Sequence, residues 1–264
     1  METLTVVIVN WNTGDLLAQC LHSLLALPEK EQTLLRKVVV VDNNSRDDSV
    51  TRARRAAGSD SRVQFTVLPQ NSGFAHANNI VLSQAGSDSH VLLLNPDTRV
   101  LPGAIQEMMA ALVREPGAGV VGPNLLNADF TVQPSVRNFP TWGVLVFFLL
   151  KLHRLFPRAT FWRRYLQADF DYTQEARVDQ VMGAAFLIRR QTLEQVGFLD
   201  EGFWIWFEEV DYCRRVHRKG WSVLYTPRAQ VIHVGGVSFG QWKSLRRYLQ
   251  FIRSAARYAR KYLL

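Results

Sequence analysis

The sequence predicts an α/β fold: a doubly wound, mostly parallel sheet flanked by helices and completed by a basic amphipathic helix at the C-terminus. Three observations predict it. Continuously apolar, β-branched runs of strand length recur through the first hundred residues, segments of helical period lie between them, and three of the four runs end in Asn or Asp. A strand covered on both faces reads as an unbroken apolar run, and strand–helix–strand order implies parallel pairing.

The runs are TVVIVN (5–10), KVVVVD (37–42), VQFTVL (63–68) and HVLLLN (90–95). The clearest helix lies in LPGAIQEMMAALVREPGAG. Pro102 suits a first helical turn, Ile105, Met108, Met109, Leu112 and Val113 form one apolar stripe, and Pro116-Gly117 ends it. GAGVVG (117–122) has dinucleotide-fingerprint spacing, but it follows a helix and enters an apolar strand, which is the wrong context. No Walker A sequence is present. In doubly wound sheets ligands bind at the carboxyl ends of the strands. Those ends carry Asn10 and Asn12, then Asp42, Asn43 and Asn44, then Asn95 and Asp97. Each alone fits a turn or an N-cap; together they read as the rim of a ligand crevice.

At 264 residues, 47% hydrophobic and 20% charged, the chain can bury a core as one large domain or two. Two cysteines, Cys20 and Cys213, without CxxC spacing argue against a disulfide framework or zinc ribbon and fit a reducing compartment. The N-terminus lacks the pattern of a signal peptide, and the longest apolar run, Val144 to Leu150, is too short to cross a bilayer. The expected location is cytoplasmic, with peripheral contact on the inner face of the cell membrane. The net charge of +8 is unevenly spread. Twelve of the 31 Lys and Arg fall after Asp211, where no acid stands, leaving 19 basic against 23 acidic groups before it, a net of −4. Such a tail suits anionic lipid, nucleic acid or a phosphate-bearing substrate.

The segment WIWFEEVD (204–211) sets Glu208, Glu209 and Asp211 directly after four large apolar residues. Burial and like-charge repulsion there would raise carboxylate pKa values, which suits a general base.

VDNNSRDDSV, NSGFAHANN and LLLNPDT, with GAAFLIRR (183–190) and GFLDEGFWIWFEEVDYCRRVHRKGW, carry a resemblance. They resemble inverting glycosyltransferases of family two, which have a GT-A fold, and within them the rhamnosyltransferase branch. The resemblance spans residues 3 to about 236, apart from the middle. It implies a GT-A domain over residues 1–240, with a nucleotide-sugar half (1–124) and an acceptor-side half (125–240) holding an insertion at 125–179, followed by the C-terminal helix, 241–264. It implies a donor site of Asn10, Asn12, Asp42, Asn44, Asn71, Gly73, Asn78, Asn95 and Asp97, with Asp42 on the nucleoside. NPD stands where the family commonly has DxD, so Asn95 replaces the first acid. A divalent cation, Mg²⁺ or Mn²⁺, would then rest on Asp97 and on the late histidine, His233. An ordinary packed role fits His233 equally, and Gly73 fits a tight turn. On the acceptor side the resemblance implies Gly183, Ala184, Trp204 and Trp206 near the acceptor and Glu208, Glu209 and Asp211 as catalytic acids. Glu209 matches the usual base, more commonly Asp, and Asp211 supports it. Asp211 also faces Arg214 and Arg215 at helical spacing, and core packing explains some of the aromatics.

The implied donor is dTDP-rhamnose, with a UDP-sugar as runner-up. The implied acceptor is a glycan or polyprenyl-linked glycan. The middle segment combines apolar residues with Lys151, Arg154, Arg158, Arg163 and Arg164. The C-terminal helix sets a stripe of Trp242, Leu245, Leu249, Ile252, Ala256 and Ala259 among Arg246, Arg253, Arg257 and Arg260. Both suit an anionic leaflet or packing on the domain or on a second copy in a homodimer. Nucleic acid is not an expected partner, since no stacking platform or recognition helix occurs and the crevice acids would repel phosphate. A sugar-binding domain that has lost catalysis is the remaining alternative, because Asn95 and Glu209 depart from the common pattern.

Overall fold

The computed structural model describes residues 2–84, 89–235 and 244–264. In chain order its elements are β1 (Thr3–Asn10), α1 (Asp15–Leu25), α2 (Glu29–Gln32), β2 (Leu35–Asp42), α3 (Ser49–Ala57), β3 (Val63–Val67), α4 (Phe74–Leu82), β4 (Ser89–Leu94), β5 (Thr98–Val100) and α5 (Ala104–Arg114). The second half continues with β6 (Ala118–Leu126), β7 (Val136–Arg137), α6 (Trp142–Leu149), a 3₁₀ turn (Leu152–Arg154), α7 (Thr160–Tyr165), β8 (Ala176–Val178), β9 (Gln180–Val181), β10 (Ala185–Ile188), α8 (Arg190–Val196), α9 (Glu208–Arg218), β11 (Ser222–His233) and α10 (Ser244–Tyr262). All four expected strands and the expected helix are present.

The main sheet runs β3-β2-β1-β4-β10-β6-β11-β5, with β8 also on β11. β3, β2, β1 and β4 pair in parallel, as do β6 and β11, whereas β10, β5 and β8 run against their neighbours. The apolar runs are unbroken because both faces are covered. Leu4, Val6 and Ile8 of β1 pack with α1 and α5, while Val7 and Val9 face α4 and α9. Each fully buried Val or Leu contributes about 1.5–3 kcal/mol.

Register fixes the functional edge. Asn10 pairs Asp42, Asp42 pairs Val67 and Ile8 pairs Leu94, so the parallel strands end in line. β10 enters at that same edge because it is antiparallel, with Ala185 opposite Leu94. β5 pairs the end of β11, setting His233 against Thr98 and therefore beside Asp97.

The segment between β6 and β10 leaves and returns through the small β7–β9 sheet. α10 packs on its own chain, with Ala255, Tyr258 and Ala259 buried against Phe203, Phe207 and Val210. Its docked face is therefore rotated from the expected stripe: Leu245 and Leu249 are exposed, and only Ala259 of that stripe is buried. Trp242 lies outside the described residues, as does the side chain of Arg246. Among the described residues no helix is long and apolar enough to cross a membrane.

Candidate active site

A cavity of about 380 Å³ opens at the carboxyl edge of the sheet. Asn71, Gly73, Asn95, Asp97, Gly183, Ala184, Trp204, Trp206, Glu208, Glu209 and His233 line it, together with Val9, Trp11 and Asn43. Residues drawn from both halves of the sequence meet here.

The Asp97 end is set by backbone. Asn95 N donates to Ala184 O at 2.8 Å, and Val234 N donates to Asp97 O at 3.0 Å. His233 Nε2 lies 3.5 Å from Asp97 Oδ1. The other ring nitrogen, Nδ1, is 2.7 Å from Gln133 Oε1. Gln133 spends its amide N–H groups on Asn127 Oδ1 (3.0 Å) and His233 O (3.2 Å), which fixes Oε1 toward the ring. Nδ1 then carries a proton, and Nε2 is the ring nitrogen turned toward Asp97. Gln133 was not legible in sequence: it stands in a polar stretch without periodicity or motif.

The acid end is set by an unusual turn. Trp206 and Phe207 both adopt left-handed backbone, φ 62° and 70°, which for bulky side chains costs of order 1–3 kcal/mol and survives only where surroundings enforce it. Here they do. Phe74 N donates to Trp204 O at 2.9 Å, Ser254 Oγ donates to Ile205 O at 2.7 Å, and Phe207 packs against Phe251 and Tyr258. Asn79 adds a clamp: its amide accepts from Leu199 N and donates to Leu199 O and Glu201 Oε1. The turn delivers Glu208 and Glu209 as the first residues of α9.

Glu208 is 6% exposed, and neither Glu208 Oε2 nor Glu209 Oε2 has a hydrogen-bond partner among the described residues. Burial, then the neighbouring Glu209 charge, pushes Glu208 well above the usual carboxylate range; burial also raises Glu209. The two titrate as a pair. Glu209 alone of the two also borders a second cavity, described below. Gly183 lies directly against it: a Cβ there would sit in ordinary van der Waals contact, 3.5 Å from Glu209 Cβ. Gly73, at φ 90°, has no room for one: a Cβ would come within 2.7 Å of Trp204 Cδ1.

The raised Glu208 has a consequence for stability. The folded chain holds this proton to higher pH than the unfolded chain, so stability is full below the ordinary value near 4.5 and falls as pH rises through the raised value. Glu208→Gln should therefore melt above the parent at pH 8 and close to it near pH 4, by roughly 2–4 °C for each kcal/mol recovered. A lower melting temperature for the variant at pH 8 would mean that Glu208 is ionised and paired.

Other expected residues stand elsewhere. Asn10 and Asp42 are buried behind the rim. The Asn10 amide donates to Asp42 Oδ1 at 2.7 Å, and Asp42 also accepts from Ser45 N and Oγ. Asn12, φ 51°, accepts from Arg46 N, and Asn44, φ 64°, is exposed. Asn43, between them, is the residue of this loop that lines the cavity, and it is bonded to Ser72 and Gly73. Asn78 is 1% exposed and donates to Phe74 O within α4. Asp211, at 0% exposure, lines neither cavity. It accepts from Arg215 Nε at 2.8 Å, Tyr262 Oη at 2.6 Å and Lys261 Nζ, tying α9 to α10. Arg214 instead stacks on Phe139 and donates to Tyr258 Oη. Cys20 and Cys213 are buried and free, as packing residues.

Comparisons with known proteins agree with this geometry. The family model for Glycosyl transferase family 2 matches residues 5–197. An N-acetylglucosaminyl-diphospho-decaprenol L-rhamnosyltransferase of Mycobacterium tuberculosis is 29% identical over 256 residues, covering 91% of this chain and 78% of the relative. A mannosyltransferase from Pyrobaculum calidifontis, solved with GDP-Man and Mn²⁺, aligns with a TM-score of 0.64 at 18% identity, over 97% of this chain and 64% of that one. GalNAc-T7, solved with UDP, GalNAc and Mn²⁺, also gives 0.64, at 16% identity, over 88% of this chain and 43% of that one. At such identities the two structures speak to the fold, which is GT-A.

Proposed function

This chain belongs to glycosyl transferase family 2, and on that premise we propose that it moves rhamnose or a related deoxysugar from a nucleoside-diphosphate donor to a hydroxyl of a glycan or lipid-linked glycan, with inversion and with Glu209 as general base. A UDP-sugar donor is the second reading. The observation that carries the proposal is the shared cavity, in which Asp97 and His233 stand with Glu208 and Glu209. The rhamnosyl transfer named for the mycobacterial relative supports the deoxysugar.

In the proposed reaction the acceptor oxygen attacks the anomeric carbon while its proton passes to the Glu209 carboxylate. The bond from that carbon to the diphosphate oxygen breaks, and the leaving group takes the electron pair. A carboxylate of raised pKa is a stronger base at neutral pH than an ordinary one. Trp206 provides a ring face for the acceptor. Asp42 Oδ2 accepts from Ser45 N and, among the described residues, from no other donor, so it can accept from a nucleoside N–H or hydroxyl, with Asn12 and Asn44 alongside.

A divalent cation fits the residues present. Among the described residues no three His, Cys, Asp or Glu side chains converge as a metal cluster, but one carboxylate and one imidazole lone pair, with donor phosphate oxygens and water, suit Mg²⁺ or Mn²⁺. Asp97 and His233 Nε2 would hold it, and it would supply positive charge to the departing diphosphate.

Thermal shift with a panel of nucleotide sugars tests this. One donor should stabilise the chain in Mg²⁺ or Mn²⁺, by about 2.7 kcal/mol at a hundredfold excess over its Kd, and should turn over with acceptor. Gln133→Leu should weaken Mn²⁺ binding, measured by calorimetry, about tenfold or more, while melting like the parent without metal. Stabilisation by none of the panel would end the proposal.

A further inference from the structure

We propose that a second cavity, enclosed by α6, the 3₁₀ turn, α7, α9 and α10, binds the acceptor as a lipid-diphosphate sugar: its apolar chain lies on the aromatic walls and its diphosphate on Lys151 and Arg154. This deepens the reading of Glu209 as base and rests on it.

The cavity measures about 540 Å³, within the range of small-molecule sites. Its walls are apolar: Val144, Leu145 and Phe148 from α6, Trp162 from α7, Phe207 and Phe251. The apolar surface continues on these elements and on the chain that links them, where Trp142, Val146, Leu150, Leu155, Phe156 and Phe161 are exposed. So large an apolar face on a protein surface implies an apolar occupant.

Charge decides which one. Lys151 and Arg154 stand on the cavity wall, neither forms an ion pair among the described residues, and Glu209 is the one carboxylate among the lining residues. Lys151 Nζ lies 5.3 Å from the Tyr248 ring centroid. Its backbone is left-handed, φ 55°, at the junction that reverses the chain from α6 into the 3₁₀ turn and brings Arg154 to the same wall. His153 stacks on Phe148 at 4.8 Å, and its buried Nδ1 has no hydrogen-bond partner among the described residues. Two cations without an ion pair among the described residues match the two charges of a diphosphodiester, where a phosphodiester headgroup would neutralise one.

Position decides where the sugar goes. Glu209 and Trp206 line this cavity and the donor cavity alike. A sugar linked to the diphosphate at Lys151 and Arg154 therefore has a path to the base from the side opposite Asp97 and His233.

Farnesyl diphosphate, a soluble lipid diphosphate, is the probe, titrated calorimetrically into the full chain in EDTA so that Asp97 and His233 cannot hold it through a metal ion. It should bind at least tenfold more tightly than inorganic diphosphate, than farnesol, and than phosphatidylglycerol vesicles. The double variant Lys151→Gln/Arg154→Gln should lose at least tenfold of that affinity while keeping the parent melting temperature and nucleotide-sugar binding. Phe148→Ala should weaken farnesyl diphosphate and leave inorganic diphosphate unchanged. Equal affinity for farnesyl and inorganic diphosphate, tighter binding of the vesicles, or an unchanged double variant would each overturn the site. Donor binding is read separately at the other cavity, so its failure would overturn the proposed function alone.

Discussion

Glu209→Gln is expected to lower sugar transfer by a factor of ~10² or more while nucleotide-sugar binding stays near the parent value. The variant keeps the shape of the side chain and removes its ability to take a proton. The amide has nearly the volume of the carboxylate and replaces a charge that burial disfavours, so it should fit without strain and the melting temperature should not fall. The parent rate should drop on acidification at a pH above the ordinary carboxylate range, because burial raises the pKa of the base and protonation disables it. The variant should lack that acid limb. Transfer close to the parent rate in Glu209→Gln would remove this residue from the mechanism and turn attention to Glu208, the adjacent carboxylate of the same cavity.

Asp211→Ala is expected to destabilise the fold by about 3 kcal/mol, lowering the melting temperature by roughly 6–12 °C. The carboxylate is fully buried and accepts from Arg215, Lys261 and Tyr262. Its removal leaves two cations and a hydroxyl facing each other without their common partner. Because Lys261 and Arg215 are 32% and 20% exposed, water relieves part of the cost, which places the effect at the lower end for a broken buried pair. α10 should become the first segment cut by protease. A melting temperature within 2 °C of the parent would show that α10 is held by its apolar face instead.

The first four strands were legible in the sequence for a physical reason. Strands buried on both faces leave unbroken apolar runs, and register brings their polar ends into line. The acid pair was legible because charge beside aromatic surface is rare without a use. Less was legible where placement depends on pairing between distant strands. Nothing local announces that β10 is inserted antiparallel between β4 and β6, or that Thr98 pairs with His233 and so carries Asp97 to it. Asn43 and Asn44 are adjacent and chemically alike, and only the left-handed turn at Asn44 decides which one meets the cavity. The face of α10 was misplaced because it docks through Ala255, Tyr258 and Ala259 rather than through leucine. Tyrosine packs its ring while its hydroxyl reaches a polar partner, as Tyr262 does with Asp211.

Two successive carbonyls, those of Trp204 and Ile205, are gripped by segments on either side of them in the sequence, one by Phe74 at the start of α4 and the other by Ser254 of α10. The instructions for aiming the acid pair are thus written partly in the C-terminal helix, 49 positions downstream of Ile205. The C-terminal helix serves as a jig in which the start of α9 is set.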